Sequence, residues 1–446
     1  MSSDKKVTAM KKVLILGAGL VAKPIVEYLL GNGFRITIAS PMKERADEMI
    51  AGNPEGRSLF WTMEDEATLS RLVSENDLTV SLLPYKFHSG VAKVCLQYKK
   101  PLVTTSYVQP EMQAMESEVK KAGLIFLNEI GLDPGIDHMS AMKIIDSIHN
   151  RGGSVDEFYS ICGALPAPEA ADNPLKYKFS WSPKGVVMAS RNSALYLKDG
   201  KRVFIEPGNL FRDTFEADFP GIGRLEVYPN RDSISYSDIY GIPEAKTMYR
   251  GTFRFKGWCE TLDLMKSINM LDDEERDYSG MTYAGFISER AGINMNDICE
   301  GLCQKTGLSK NSTAIIALEW LGFFEKSDMG YQSTSPFEIT SDLMIRKMPL
   351  GENERDMVVL QHTFHASYPG GKKEKIISSM LDFGTPATNT SIARTVALPA
   401  AIAVKLILDG KINLSGVYRP VVPQIYEPVL EGLEGLNIKM KEEYYC

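Results

Sequence analysis

The stretch Asn128 to His138 reads N-E-I-G-L-D-P-G-I-D-H and gathers four ionisable side chains: Glu129, Asp133, Asp137 and His138. Carboxylates and an imidazole at this density can accept, donate or relay a proton. Gly131, Pro134 and Gly135 break regular structure and let the backbone come close to whatever these groups face. The same residues also suit a plain turn in which Asp133 or Asp137 caps the next helix. The stretch alone leaves both readings open. An apolar run, Leu124 to Leu127, ends here, so a strand is expected to stop and a new domain to begin.

A second group lies near the N-terminus. Lys12 to Leu16 reads as a short strand, Gly17-Ala-Gly19-Leu20-Val21-Ala22 follows, and Ile25, Val26, Leu29 and Leu30 recur at helical spacing. This is G-x-G-x-x-A between a strand and a helix, the pattern of a dinucleotide site. Gly17 makes the tight turn, Gly19 lets a pyrophosphate reach the backbone, and Ala22 lets the helix pack on the strand. Leu20 and Val21 lie in the same turn, at the helix N-terminus where phosphates are held.

The next strand, Arg35 to Ala39, ends at Ser40-Pro41, where an NAD-selective site places an acidic residue against the ribose diol. The hydroxyl of Ser40 with Lys43 and Arg45 suits a 2′-phosphate better, so NADP is the expected cofactor, with NAD left open. Lys43 and Arg45 also fit the solvated face of the following helix.

Strands at Leu59 to Trp61, Leu78 to Leu83, Pro101 to Thr104 and Leu124 to Leu127 alternate with helices at Ala67 to Val73 and Met112 to Val119. A further helix, between the second and third of these strands, turns Val91, Val94 and Cys95 inward. Their carboxyl ends carry Leu83-Pro84, Thr105-Ser106-Tyr107 and Leu132-Asp133-Pro134, at the edge where a Rossmann crevice opens. Leu83, Pro84, Thr105, Leu132 and Pro134 are assigned to the cofactor. Thr104, Thr105, Ser106 and Tyr107 put three hydroxyls and a phenol at this edge, although turn chemistry explains hydroxyls there too.

Beyond the hinge formed by Asn128 to His138, a helix at Met139 to Ile148 leads into an α+β mixture with strands at Glu157 to Cys162, Arg202 to Glu206, Leu225 to Tyr228 and Met248 to Lys256. Cys162 is expected at the start of a rigid loop, Gly163 to Pro168. Ser182-Pro183 is expected to open a helix running to about Leu197. In Met248 to Lys256 a period of two puts Arg250, Thr252, Arg254 and Lys256 on one face, against Tyr249, Phe253 and Phe255. Such a row is either a solvated edge strand or, joined by Arg231, the floor of a site for an anion with several carboxylates. From Leu262 to Lys347 the pattern turns helical, and Cys299 and Cys303 share a helical face. Asp356 to Tyr368 and Lys373 to Phe383 form a long hairpin whose open ladder would serve a homodimer. Asn389 to Leu408 is a helix containing Pro399, and a short helix near Val429 precedes a polar tail.

The chain has 446 residues, 44% hydrophobic and 24% charged, with a formal charge of −7. That suits two or three soluble domains. No stretch approaches ~20 apolar residues, so no membrane is expected. The polar lead-in Met1 to Lys12 lacks a signal core. The acidic balance and the lack of a basic block argue against a nucleic-acid footprint, leave room for a local cationic pocket inside an acidic shell, and make a small molecule the expected partner. The cysteines, Cys95, Cys162, Cys259, Cys299, Cys303 and Cys446, show neither Cys-x-x-Cys spacing nor neighbouring histidines, so no metal and no disulfide framework are expected, and the setting reads as cytoplasmic.

The expected fold class is α/β. A Rossmann-like domain spans residues 1–135 and about 388–446, an α+β substrate and dimerisation domain spans about 136–261 and 350–387, and a helical insertion spans about 262–349. The crevice is expected to have the Gly17 to Ala22 turn with Ser106-Tyr107 on one wall and Arg231 with Arg254 on the other, closing when both ligands bind.

Eight motifs, in order, carry a resemblance: V-L-I-L-G-A-G (Val13 to Gly19), S-L-L-P-Y (Ser81 to Tyr85), the Asn128 to His138 stretch, C-G-A-L-P-A-P-E (Cys162 to Glu169), N-P-L-K-Y-K-F-S-W-S (Asn173 to Ser182), Y-P-N-R-D-S (Tyr228 to Ser233), R-G-T-F-R (Arg250 to Arg254) and E-R-D-M-V-V-L-Q-H (Glu354 to His362). Over essentially the whole length the chain resembles the glutamate-forming saccharopine dehydrogenases. It departs at Ser40-Pro41, where fungal NADP-using members have Cys-Arg. The resemblance implies interconversion of saccharopine with glutamate and 2-aminoadipate 6-semialdehyde through an imine. It implies substrate contacts at Ser106, Tyr107, Asp133, Cys162, Arg231 and Thr252-Phe253-Arg254, and cofactor contacts at Ser180 and Trp181. Saccharopine carries three carboxylates, which favours the cationic floor over the edge strand. Asp133 is the first candidate to accept or relay the amine proton and Cys162 the second. His138 is expected to be structural. Two alternatives stay open: an imine-reducing synthase such as carboxynorspermidine synthase, and a dinucleotide-binding sensor without catalysis.

Overall fold

The structure is a computed structural model that describes residues 10–446; the lead-in up to residue 9 lies outside the described residues. The chain divides into two compact units, one running to Ser147 and resuming at Ile392–Met440, the other formed by Ile148–Ser391 and Lys441–Cys446.

The first unit is a seven-stranded sheet. Six strands alternate with helices: β1 (Lys12–Leu16), β2 (Arg35–Ser40), β3 (Gly56–Phe60), β4 (Leu78–Ser81), β5 (Leu102–Thr104) and β6 (Ile125–Leu127). The seventh, Gly416–Tyr418, is β18 in chain order and pairs with β6. All pairings are parallel, in the order β18-β6-β5-β4-β1-β2-β3. The run Val13 to Leu16 has no exposed side chain, as a strand covered on both faces requires. With its crossover helices this is the Rossmann-like α/β sheet expected from the sequence.

The second unit is built on a mixed sheet. Its strands are β7 (Ser154–Pro166), β8 (Ala194–Lys198), β9 (Lys201–Ile205), β10 (Phe215–Phe219), β11 (Gly223–Pro229), β12 (Arg231–Asp232), β13 (Thr247–Arg254), β16 (Asp356–Ser367), β17 (Lys373–Phe383) and β19 (Lys441–Tyr445). The main path is β10-β11-β13-β7-β16-β17-β19, and β8 carries β9 and β12 at its side. A two-stranded ribbon of β14 (Arg276–Asp277) and β15 (Ser333–Thr334) sits among helices that include Trp258–Ser267, Tyr283–Ala291, Thr313–Leu321 and Pro336–Lys347. The apolar faces of these helices share one core with the sheet, through Phe253, Trp258, Phe286, Leu318 and Met344.

Several local expectations are corrected. Cys162 does not start a loop, because β7 continues through Gly163 to Pro166, paired along that length with β16. The helix after Ser182 ends at Ala189, and Ala194 to Lys198 is a strand that hydrogen-bonds to β9. Met112 to Val119 is divided between two short helices, Pro110–Gln113 and Glu116–Lys121. The long hairpin is only partly open: β16 pairs with β7 along its length, and β17 pairs with β19 over Lys375–Ser379, while Met380 to Phe383 have no partner strand on that outer side among the described residues. The helix Ser391–Leu408 is long and apolar enough by composition to cross a membrane, with mean hydropathy 1.7, yet 72% of it is buried within the protein. It packs as a core helix.

Candidate active site

In the first unit, Gly17 adopts φ +105° and stands so close to β4 that an added Cβ would lie 3.2 Å from Leu82 O. Only glycine fits there. At Gly19 an added Cβ would meet nothing within 4 Å, so the missing side chain leaves room for a ligand and not for protein. Ala22 is buried and gives no side-chain cap to the helix Lys23–Gly31, whose first N–H groups are left for a ligand or solvent. These features fit a pyrophosphate.

Ser40 is fully buried and its Oγ accepts from Met42 N at 3.1 Å. Lys43 pairs with Asp47 at 2.6 Å along its own helix, so it belongs in part to the solvated-face reading. Arg45 is half-buried. Leu20 and Pro84 are exposed, whereas Val21, Leu83 and Thr105 are half-buried at the same carboxyl edge and Leu132 and Pro134 are buried.

The loops after β5 and β6 are sewn together. Glu129 N donates to Ser106 O at 3.1 Å and Ile130 N to Thr104 O at 3.3 Å. The Tyr107 hydroxyl donates to Asp133 Oδ1 at 3.3 Å. Thus Ser106, Tyr107 and Asp133, from two separate stretches, come together. The glycines permit it: a Cβ on Gly135 would sit 2.0 Å from Gly131 O, and one on Gly131 would press on Thr105 and on Pro134 O at 3.1 Å.

The four ionisable groups of this loop divide their roles. Asp137 Oδ1 accepts from Gly135 N at 2.6 Å at the start of the helix Ile136–Asn150, the local capping role that was one of the two readings. Glu129, 1% exposed, binds His138 Nε2 at 2.8 Å through one oxygen, and Val108 N at 2.8 Å and Arg419 Nε at 2.9 Å through the other. Burial alone would raise its pKa, but the His138 hydrogen bond and the charges of His138 and Arg419 hold the carboxyl below the usual glutamate range. His138 is thus fully buried with one ring nitrogen on Glu129. Asp133 alone of the four is half-buried, the position expected of a group that meets substrate.

In the second unit, β13 lies between β11 and β7, which overturns the edge-strand reading. Arg250, Thr252 and Arg254 share one face, and Cys162 stands opposite Thr252 on β7. Lys256 lies past the strand, 80% exposed, beside Glu216. Phe253 points to the other face and is fully buried in the core, so only its main chain is available to a substrate. Arg231 is exposed at φ +51°, near enough to the Tyr228 phenol to act on it, as Arg254 and Thr252 do. Ser180 is buried and Trp181 half-buried.

Arg254 is 5% exposed. Its guanidinium lies over the rings of Tyr177, Trp258 and Tyr228 at 5.1, 5.3 and 5.8 Å. Its one hydrogen bond among the described residues runs from Nη1 to Phe253 O at 2.9 Å. Nε is buried without a partner, as is Trp258 Nε1. A desolvated cation with no carboxylate beside it is costly unless an anion arrives.

Sequence reasoning missed His88, which joins Ser81, Thr104 and Ser106, and Arg419, the counter-ion of Glu129. The sole signal for His88 was its position at the first helix after S-L-L-P-Y.

Comparison with known proteins agrees with this arrangement. Residues 13–127 match the family described as "Saccharopine dehydrogenase NADP binding domain" and residues 131–438 the "Saccharopine dehydrogenase C-terminal domain". The chain is 36% identical to the "Saccharopine dehydrogenase [NADP(+), L-glutamate-forming]" of Schizosaccharomyces pombe, over 97% of this chain and 99% of that one. It is 37% identical to the mitochondrial alpha-aminoadipic semialdehyde synthase of Bos taurus over 96% of its length, yet spans only 47%, about half, of that longer relative. A solved structure of the apo, histidine-tagged saccharopine dehydrogenase (L-Glu forming) from Saccharomyces cerevisiae superposes with a TM-score of 0.91 at 35% identity, over 98% of this chain and 100% of that one. With both halves matched in order and the fold shared throughout, the chain belongs to the saccharopine dehydrogenase family.

Proposed function

We propose that the chain interconverts saccharopine with L-glutamate and 2-aminoadipate 6-semialdehyde, using NADP, in lysine metabolism. The observation that carries this reading is Arg254, a buried guanidinium that lacks a carboxylate partner among the described residues. A substrate with three carboxylates supplies that anion, and Arg231, whose charge also reaches the Tyr228 phenol, supplies a second cation. NADP would be held by the Gly17 to Ala22 turn, with Ser40 and Arg45 toward the 2′-phosphate and Ser180 and Trp181 as further contacts, and it supplies or accepts the hydride.

The protein's own part is binding and proton handling. Oxidation needs the secondary amine neutral, so its proton must leave before the C–H bond breaks. Asp133, oriented by Tyr107, accepts or relays it. Water then adds to the imine carbon and the same carboxyl returns a proton to the departing amine of glutamate. Cys162 is a weaker candidate, because it is 7% exposed in the middle of a long strand. The six free cysteines suit the reducing, cytoplasmic setting that belongs to this reading. A homodimer belongs to it as well.

The experiment is to mix purified protein with NADPH, glutamate and the semialdehyde and to follow the absorbance of the reduced cofactor. Loss of absorbance that needs both amino-acid substrates is expected. Tight NADPH binding with no turnover would overturn the reading in favour of a sensor. Turnover with a different amine would point to a related imine-reducing synthase.

A further inference from the structure

His88 opens the helix His88–Gln97 and is 3% exposed. Its ring touches three hydroxyl groups: Ser81 Oγ lies 2.9 Å from Nδ1, Ser106 Oγ 2.8 Å from Nε2, and Thr104 Oγ1 3.2 Å from Nε2. Ser81 ends β4 and Thr104 ends β5, so the imidazole bridges the carboxyl ends of two neighbouring strands to the loop that bears Ser106. Burial keeps the ring neutral at physiological pH, with its pKa pushed down to about 4.

A neutral imidazole has one donor and one acceptor, and the hydroxyls decide which nitrogen is which. With the proton on Nδ1, the fully buried Ser81 would accept from the ring and its own hydrogen would have no acceptor. Ser106 would then donate to Nε2, and the Thr104 hydrogen would be stranded too. With the proton on Nε2, Ser81 donates to Nδ1 and one N–H faces both Ser106 Oγ and Thr104 Oγ1. Thr104 already accepts from Ser106 N at 3.3 Å, and only its hydrogen is left over. The second arrangement strands one buried hydroxyl hydrogen in place of two, and each stranded group keeps its desolvation cost.

The consequence falls on Ser106. In this arrangement its oxygen accepts from His88 and its hydrogen is left to point elsewhere. A carboxylate only accepts, so a serine whose hydrogen was held by the imidazole could not serve one. We propose that His88, protonated on Nε2 and not on Nδ1, is a positioning residue that presents the Ser106 hydroxyl as a hydrogen-bond donor to a carboxylate of the amino-acid substrate. This rests on the reading of Ser106 as a substrate residue. Ser81, fully buried behind the ring, fixes the tautomer.

The test compares Ser106→Ala, His88→Gln, His88→Asn and Ser81→Ala in steady-state turnover with saccharopine, together with the Kd for NADPH. Glutamine can place an amide N–H near the Nε2 position, whereas asparagine reaches only the Nδ1 position. Ser106→Ala and His88→Asn are expected to raise KM for saccharopine about tenfold with the NADPH Kd unchanged, a loss of the size of one hydrogen bond to a charged group. His88→Gln is expected to restore most of this, Ser81→Ala to move in the same direction by less, and the Ser106→Ala/His88→Asn double variant to be no worse than Ser106→Ala. A Ser106→Ala enzyme with unchanged KM would remove the substrate role of Ser106 and this proposal with it. An impaired Ser106→Ala beside a normal His88→Asn would sink the proposal alone. Nitrogen-15 NMR of the wild-type protein, which has five histidines, reads the tautomer directly and does not depend on any variant folding. A His88 proton found on Nδ1 would overturn it.

Discussion

Tyr107 Oη and Asp133 Oδ1 stand 3.3 Å apart, and this hydrogen bond joins the loop that ends β5 to the loop that ends β6. It fixes the orientation of the half-buried carboxylate of the hinge. A general base is useful only if its oxygen is aimed, and for the base proposed above a phenol from a second loop would do the aiming.

Asp133→Asn is expected to lower kcat for saccharopine oxidation by about 10²–10⁴-fold and to remove the acidic limb of its pH profile. Tyr107→Phe should cost less and leave that limb in place. Turnover measured from acid to alkaline pH decides the matter. A D133N enzyme with wild-type rate and profile would remove Asp133 from the mechanism.

Arg254→Met should separate binding from stability. Losing a buried cation that pairs with a substrate carboxylate is expected to raise KM by about thirtyfold or more, from ~2 kcal/mol upward. Because the cation has no carboxylate partner among the described residues, its removal should leave the urea midpoint unchanged or higher. Arg254→Lys should also bind poorly, since an ammonium lacks the flat fork that lies among the three rings. A marked fall in stability with normal KM would make Arg254 a structural residue.

For cofactor choice, Arg45→Ala is expected to lower the ratio of kcat/KM for NADPH over NADH by about tenfold or more. Lys43→Ala should do less, because Lys43 already pairs with Asp47 at 2.6 Å. A parent ratio near one would leave NAD as the working cofactor.

Stability should fall on acidification. His88 has a folded pKa depressed to about 4 from 6.5, so its contribution is complete above pH 6.5 and is lost as the pH falls toward 4. That is worth about 3 kcal/mol. Glu129, also depressed, adds a loss at lower pH, as the pH falls through its folded value. Urea unfolding at several pH values should show the decline beginning near pH 6.5 and a weaker slope in His88→Gln. Constant stability from pH 7 to 4 would contradict the His88 assignment.

Elements that carry their own pattern could be read from the sequence. The Gly17 turn, β1, β2, the β16–β17 hairpin and the helix Ser391–Leu408 each show a periodicity or a turn signal internal to the segment. β18 shows none: Gly-Val-Tyr is a strand because β6 lies beside it. Cys162 was misplaced because Gly163 and Pro166 read as a loop, whereas pairing with β16 keeps them extended. The same division holds at the candidate site. Ser106, Tyr107 and Asp133 were legible because they follow strand ends, while His88 and Arg419 gain meaning only from partners distant in sequence.

The pairing of β18 with β6 sets an order on the protein's birth. Glu129 leaves the ribosome 290 residues before Arg419, the cation that neutralises it. At about 5–20 residues per second the wait is roughly 15–60 s. Through that interval the first sheet lacks its last strand, and a carboxylate destined for burial has only His138 and one N–H to hold it. The nucleotide-binding unit, although it is begun first, is therefore among the last parts to be finished, and a fragment cut after the hinge would keep Gly17 yet lack the arginine that completes its sheet edge.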